Sequence, residues 1–302
     1  MHIGMVGLGK MGMNMSRRLI EGGHEVTGLI HKLDNIEETK GYGIGVAMSA
    51  KELVDALPSP RIVWLMVPSG AVVDTVIEEL KGFLSNGDVI IDGGNTFYKD
   101  DIRRSAALAE AGIEFADVGT SGGIWGLQEG YCLMIGGKRE VFEQLKPLFI
   151  TLAPKDGYLY CGETGSGHFV KMVHNGIEYA MMESYAEGFE LLEASPYGKD
   201  LDFAKVSGLW NRGSVIRSWL LELIESAFEK DGTLSDIEGY VEDSGEGRWT
   251  VQEAVDLGVA APAISAALFR RFRSRQDSSF AERILAAMRK EFGGHSVKSA
   301  EG

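Results

Sequence analysis

Residues 1–12 read Met1-His2-Ile3-Gly4-Met5-Val6-Gly7-Leu8-Gly9-Lys10-Met11-Gly12. A short apolar run, residues 2–6, ends in glycines at the spacing Gly7-x-Gly9-x-x-Gly12, and an amphipathic stretch over residues 10–21 follows. A strand, a tight turn and a helix start in that order suit a dinucleotide pyrophosphate. The glycines let the backbone approach closely, and the helix N-terminus offers unpaired N–H groups and the positive end of its dipole. The glycine spacing alone is a weak signal; its place between strand and helix makes Gly7, Leu8, Gly9, Lys10, Met11 and Gly12 candidate cofactor contacts.

Outward from this turn the pattern repeats. Residues 25–30, 62–67, 89–91 and 113–118 read as further buried strands, and residues 50–57, 71–81 and 102–111 as helices between them. Alternating βα units predict an α/β fold, a doubly wound Rossmann-type parallel sheet covered on both faces. Ser49 and Ser69 are expected N-caps, and residues 131–135 and 158–161 additional strands near the sheet edge. After about Gly165 the texture changes. Residues 166–195 carry almost no helix breaker and predict one long helix, followed by helical stretches at 201–209, 215–228, 250–257, 263–272 and 280–291, with a polar loop over 231–247. The expected organisation is a dinucleotide-binding domain over residues 1–163 and an all-α domain over 164–302.

The chain has 302 residues and a net charge of −14, which argues against a nucleic-acid partner because a phosphate backbone demands a basic surface. An anionic small molecule remains compatible, since a basic pocket can sit on an acidic protein. No apolar run is long enough to span a membrane, and no signal peptide precedes the first strand. Cys132 and Cys161 lack metal or CxxC spacing and read as reduced, mostly buried thiols. The expectation is a cytoplasmic protein.

The end of the second strand bears on cofactor preference. Leu29-Ile30-His31-Lys32 has no acidic residue to hold a ribose 2′-hydroxyl until Asp34. His31 and Lys32 suit a 2′-phosphate and tip the reading toward NADP. They also read as ordinary solvated loop residues, and Asp34 folding back would serve NAD.

The chemistry is expected on the long helix. Lys171, His174, Asn175 and Glu178 stand at i, i+3, i+4 and i+7 and share one face. Phe169, Val170, Met172, Val173 and Ile177 fill much of the remaining circumference, which predicts a buried helix whose polar stripe meets a cleft. Gly176, costly in mid-helix by roughly 1 kcal/mol against alanine, implies close approach of another element. A lysine, a carboxylate and two hydrogen-bonding groups together suit oxidation of an alcohol, in which a base takes the hydroxyl proton. A solvated face with a Glu–Lys pair is the plain alternative.

Lys171-Met-Val-His-Asn-Gly-Ile-Glu-Tyr179, preceded by Gly167-His168, resembles the signature of decarboxylating 6-phosphogluconate dehydrogenases. Asp92-Gly-Gly-Asn95, Ser121-Gly-Gly123, Gly247-Arg-Trp-Thr250 and Arg289-Lys-Glu-Phe-Gly-Gly-His295 match in order. The resemblance covers nearly the whole chain and is to the short form of the family. It implies that Lys171 is the general base and Glu178 the acid that protonates the decarboxylated enediol. It implies that Asn95, Ser121, Gly122, Gly123, His174 and Asn175 orient a phosphorylated sugar acid, 6-phosphogluconate, and that Tyr179, Arg271, Arg289 and His295 grip its phosphate. Val67, Pro68 and Asn95 complete the candidate cofactor set, and no metal is required. It also implies a homodimer or higher oligomer in which the C-terminal segment, with Arg289 and His295, reaches the neighbouring subunit's site. The product would be ribulose 5-phosphate, in the pentose phosphate pathway or gluconate utilisation.

This chain departs from the long form at Ser244 and Glu246, where those members carry a lysine and a threonine. A glutamate beside a phosphate is repulsive, so Glu246 is expected to point away, to pair with a neighbour such as Arg248, or to mark a shifted phosphate site. The competing readings are another β-hydroxyacid dehydrogenase, of the 3-hydroxyisobutyrate type, and a non-catalytic NAD(P)-binding redox sensor on the same fold.

Overall fold

The repeated strand–helix units of the first half build one eight-stranded sheet, seen in a computed structural model that describes residues 1–30, 36–293 and 296–298. The strands are β1 (His2–Val6), β2 (Glu25–Leu29), β3 (Gly45–Ala47), β4 (Ile62–Leu65), β5 (Val89–Asp92), β6 (Glu114–Ser121), β7 (Cys132–Gly137) and β8 (Tyr158–Gly162). Their order is β3-β2-β1-β4-β5-β6-β7-β8. Every pairing is parallel except β6 with β7. The strand order reverses between β1 and β4, so the turns after these two strands flank the crevice where ligands of open α/β sheets bind.

Side chains alternate across the sheet and divide the buried residues between two cores. Ile3, Met5, Trp64, Ile91 and Val118 lie in one, while Val6, Val63, Leu65, Ile90 and Phe115 lie in the other. Burial on both faces explains why the strands read as continuous apolar runs.

Three elements escape the sequence pattern. Strand β3 is only Gly45–Ala47, and the helix Ile36–Gly41 before it is a short polar run. The helix Arg139–Leu152 carries Pro147 in its interior, which reads as a breaker. Its buried Val141, Phe142, Leu145, Leu148, Phe149 and Leu152 pack on the first core, and that burial outweighs the roughly 3 kcal/mol a mid-helix proline costs. The helix Tyr98–Ala109 starts earlier than expected, in a polar first turn whose Asp100 and Asp101 suit the positive helix end. Ser49 caps the helix Ala50–Asp55 by accepting from the Glu52 N–H, as anticipated. Ser69 does not cap Ala71–Lys81; Gly70 holds the N-cap place, at φ 87°.

The long helix is Ser166–Ala194. By compactness the chain divides inside it, into units Met1–His174 and Asn175–Gly302, whereas residue 164 marks where the helix is about to begin. The helix is not buried all round: Val170 and Ile177 are exposed. The second unit continues through helices Phe203–Trp210, Trp219–Lys230, Glu246–Asp256, Pro262–Ser274 and Phe280–Gly293. Ser218, not the region of Val215, starts the second of these by capping Leu221 N–H. Phe189, Phe203, Trp210 and Phe228 pack ring to ring, and Tyr179 joins Ala267 and Leu268 in a small core. Among the described residues no helix is long and apolar enough to cross a membrane.

Candidate active site

The glycine turn has the shape a pyrophosphate needs. A Cβ on Gly7, at φ 97°, would meet the Met66 carbonyl oxygen at 2.3 Å, and one on Gly12 would meet the Gly7 oxygen at 2.0 Å. Both glycines therefore let the turn close tightly. A Cβ on Gly9 would meet nothing within 4 Å, so this is the side left open for a ligand. Gly9 is the N-cap of Lys10–Glu21, its backbone extended, and the first turn of that helix carries no acidic residue. The positive helix end thus faces the open side without a competing carboxylate. The fit is to an anionic dinucleotide.

Other candidate groups lie along the same carboxyl edge of the sheet. Val67 and Pro68 follow β4, and a Cβ on Gly94, after β5, would meet the Val67 oxygen at 2.9 Å. The loops carrying Val67 and Asn95 are therefore in contact. Asp92 shapes the second loop by accepting from Gly94 N–H (3.1 Å) and Thr96 Oγ1 (2.8 Å), leaving Asn95 exposed. Ser121 ends β6, and Gly122 and Gly123 follow it, with Ser121 Oγ 3.5 Å from His174 Nε2. His31 and Lys32 lie outside the described residues, as do Asp34 and His295.

Lys171 is buried, at 6% exposure, on the second turn of the long helix. A Cβ on Gly119 of β6 would come within 2.4 Å of Lys171 Cβ, so this glycine lets the helix press onto the strand that ends at Ser121. The start of the helix is held by Asp117, which accepts from Gly165 N–H (2.7 Å) and His168 N–H (2.9 Å). His168 Nδ1 lies 2.7 Å from Asp101 Oδ2, and both side chains are buried. Burial pushes the Asp101 carboxyl up to about 7 against the pull of His168. Burial works against a charged His168, but the Asp101 carboxylate, helped by Asp92 and Asp117, raises the imidazole to about 10.

In the second unit, Asn175 Nδ2 donates to Glu246 Oε1 (3.0 Å), and Ser244 Oγ donates to Glu246 Oε2. Glu246 is buried at the start of its helix. Arg248 does not serve it. That guanidinium pairs with Asp243 (2.7 and 3.0 Å), which Arg275 also contacts. Arg248, seconded by Arg275, holds the Asp243 carboxyl below the usual carboxylate range. Gly176 packs against Thr250, where a Cβ would meet Thr250 Cγ2 at 2.7 Å, and this is the close approach that a mid-helix glycine signalled. The Tyr179 OH accepts from Ser244 N–H (3.2 Å), and the Arg271 guanidinium stacks 3.5 Å over the Tyr179 ring. Tyr179 and Arg271 are therefore brought together. Arg289 stands exposed on the helix Phe280–Gly293.

Lys171, His174, Asn175 and Glu178 all lie on one uninterrupted helix, so their common face stands. Sequence reasoning missed Asp101, Asp117 and Gly119. A glycine inside strand β6 was a signal of close backbone approach, and Asp117, an acid within a run read as a buried strand, was a signal of a paired buried charge; Asp101 stands in a polar helical stretch that carries no such mark. Cys132 is exposed and Cys161 half-buried, not buried as expected.

Residues 2–162 match the NAD-binding domain of 6-phosphogluconate dehydrogenase, and residues 167–301 its C-terminal domain. Over 298 residues the chain is 49% identical to a Bacillus subtilis protein named "Putative 6-phosphogluconate dehydrogenase YqeC", covering 99% of each. It is 42% identical over 299 residues to the NAD(+)-dependent, decarboxylating 6-phosphogluconate dehydrogenase of Haloferax volcanii, covering 98% of each. Among solved structures, Plasmodium falciparum 6-phosphogluconate dehydrogenase, studied with its cofactor NADP+ and its substrate 6-phosphogluconate, superposes with a TM-score of 0.83 at 28% identity. That match covers 100% of this chain and 67% of the other. A Salmonella typhimurium 3-hydroxyisobutyrate dehydrogenase shares the fold at 22% identity and a TM-score of 0.73, over 88% of this chain and 91% of the other.

Proposed function

The chain belongs to the 6-phosphogluconate dehydrogenase family, and from that premise we propose that it oxidises and decarboxylates 6-phosphogluconate to ribulose 5-phosphate and CO2. Residues 1–163 serve as the cofactor domain and residues 164–302 as the substrate domain. The nicotinamide dinucleotide, when bound on the Gly7–Gly12 turn, supplies the hydride acceptor.

Lys171 takes the proton of the substrate 3-hydroxyl as that carbon is oxidised. The resulting 3-keto acid has its carboxylate β to the new carbonyl, and protonated Lys171 polarises that carbonyl as CO2 leaves. Glu178 then delivers a proton to C1 of the enediol. On this helix it stands seven residues beyond Lys171, about 10.5 Å along the axis at 1.5 Å per residue. The two groups thus suit different carbons of one extended sugar acid. Asn95, Ser121 to Gly123, His174 and Asn175 orient the sugar. Tyr179 and Arg271 hold the phosphate end, where a planar guanidinium suits bidentate contact. The buried Glu246 excludes a phosphate from its own turn by like charge.

The observation that carries this reading is the buried Lys171 pressed onto Gly119, in the strand that leads into Ser121-Gly122-Gly123. The competing 3-hydroxyisobutyrate reading needs neither Glu178 nor a phosphate grip. A turnover matrix of 6-phosphogluconate and 3-hydroxyisobutyrate against NAD+ and NADP+ tests it, with CO2 and ribulose 5-phosphate as readouts. Activity on 6-phosphogluconate with both products is expected; activity confined to unphosphorylated acids overturns the assignment. The same matrix decides the cofactor, with His31 and Lys32 favouring NADP+.

The working form is a homodimer or higher oligomer, with Arg289 and His295 acting in the neighbouring subunit's site. The exposed Arg289 and the exposed Val170, Ile177, Met181 and Met182 of the long helix support this. Two cysteines outside any disulfide fit a cytoplasmic setting.

A further inference from the structure

The mechanism leaves unused a buried cluster of charge beneath the start of the long helix. Asp92 on β5, Asp117 on β6, Asp101 and Arg104 on the helix Tyr98–Ala109, and His168 are all essentially inaccessible. Arg104 ties the cluster together. It lies 3.5 Å from Asp92 and 4.0 Å from Asp101, bonds Asp74 on the helix Ala71–Lys81 at 2.8 Å, and donates to the Gly70 oxygen at 3.0 Å. The buried cluster thus holds three carboxylates and one guanidinium, which lies beside Asp92 and Asp101. A neutral imidazole would leave two negative charges uncompensated; an imidazolium reduces this to one, and burying unpaired charge is what proteins avoid.

The cluster grips one turn of helix from several directions. Asp117 accepts the Gly165 and His168 N–H groups, donors that a helix start otherwise leaves without partners. His168 reaches sideways to Asp101. Below, Gly167 allows contact with the sheet: a Cβ there would meet the Met134 oxygen at 2.4 Å and the Asp117 oxygen at 2.7 Å. Lys171 stands three residues beyond His168, on the neighbouring turn of the same face.

We propose that the Asp101–His168 ion pair, together with the Asp117 cap, is the positioning device that fixes the placement of Lys171. The inference rests on the reading of Lys171 as general base. His168 touches no reacting atom and acts through the helix turn. Donor atoms of Asp101, Asp117 and His168 lie within 4.8 Å of one another, close enough to suit a metal ion. Yet both Asp117 oxygens already accept N–H groups, and the Arg104 guanidinium sits beside Asp101. The cation that belongs here is the imidazole proton.

The test combines ring-nitrogen NMR of histidine-labelled full-length protein with kinetics of His168→Asn and Asp101→Asn. Asparagine at 168 keeps a donor toward Asp101 and removes the charge. At about pH 8 the wild-type His168 ring is expected to carry protons on both nitrogens, and Asp101→Asn to make it neutral. Both variants are expected to lose roughly 10²-fold in kcat, the scale of a small misplacement of a catalytic group. Their pH–kcat profiles should shift while cofactor affinity stays within about threefold of wild type. A neutral wild-type ring at that pH overturns the proposal. So does a kcat per cofactor-titrated site, and a pH profile, equal to wild type, because the pair would then be merely structural. So too does activity lost to a chelator and restored by a divalent cation. Lys171→Met is the separate control: turnover retained there defeats the general-base reading, whatever the state of the His168 ring.

Discussion

The two units of this chain solve burial differently. The first divides its apolar residues between two large cores on the faces of one sheet, and buries polar groups in sets such as Arg104 with Asp92 and His168 with Asp101. The second gathers Tyr179, Ala267 and Leu268 into a much smaller core, while Leu191 (73%), Val255 (76%) and Phe280 (69%) stay exposed. A doubly covered parallel sheet is a self-sufficient structure. A set of helices that leaves such side chains exposed buries a smaller share of its apolar residues by itself.

Lys171→Met gives the largest expected effect: loss of turnover by roughly 10²–10⁴-fold, the range for a general base, with cofactor binding by the first unit intact in titration. Unchanged turnover would remove Lys171 from the mechanism. Leu145→Ala, a fully buried site in the first core, should lower unfolding free energy by about 2–5 kcal/mol in denaturant melts. Glu178→Gln should slow the overall reaction by roughly 10²-fold, most visibly at the protonation of C1.

The next effect is on pH dependence. The folded His168 ring is raised to about 10 from 6.5, so its stabilisation is complete below about 6.5 and drains away as pH climbs to about 10. Asp101, raised from 3.8 to about 7, acts in the same direction at lower pH. Wild-type stability should therefore decline over this alkaline range. The double variant Asp101→Asn, His168→Asn should flatten the decline, and a wild-type slope in that variant would show that other groups cause it. The smallest effect is Leu191→Ala, within about 0.5 kcal/mol for an isolated chain. A much larger loss that grows on dilution would show that this face is covered by another subunit.

The βα alternation, the glycine turn, the long helix and the shared face of Lys171, His174, Asn175 and Glu178 are legible in the chain's residue pattern. Each is set by local periodicity or by a backbone need that only glycine meets, and such signals lie within a few neighbouring residues. Tertiary structure alone decided the rest. Pro147 sits in a helix because packing on the sheet outweighs its local cost. Glu246 turned to Asn175 and Ser244, not to Arg248, because Asp243 claims that guanidinium. Asp101, Asp117 and His168 meet although 67 and 51 residues separate the first two from the third. A buried charge is stable only when paired, and the partner that satisfies it is fixed by which strands and helices pack side by side, a property that no short stretch of sequence contains.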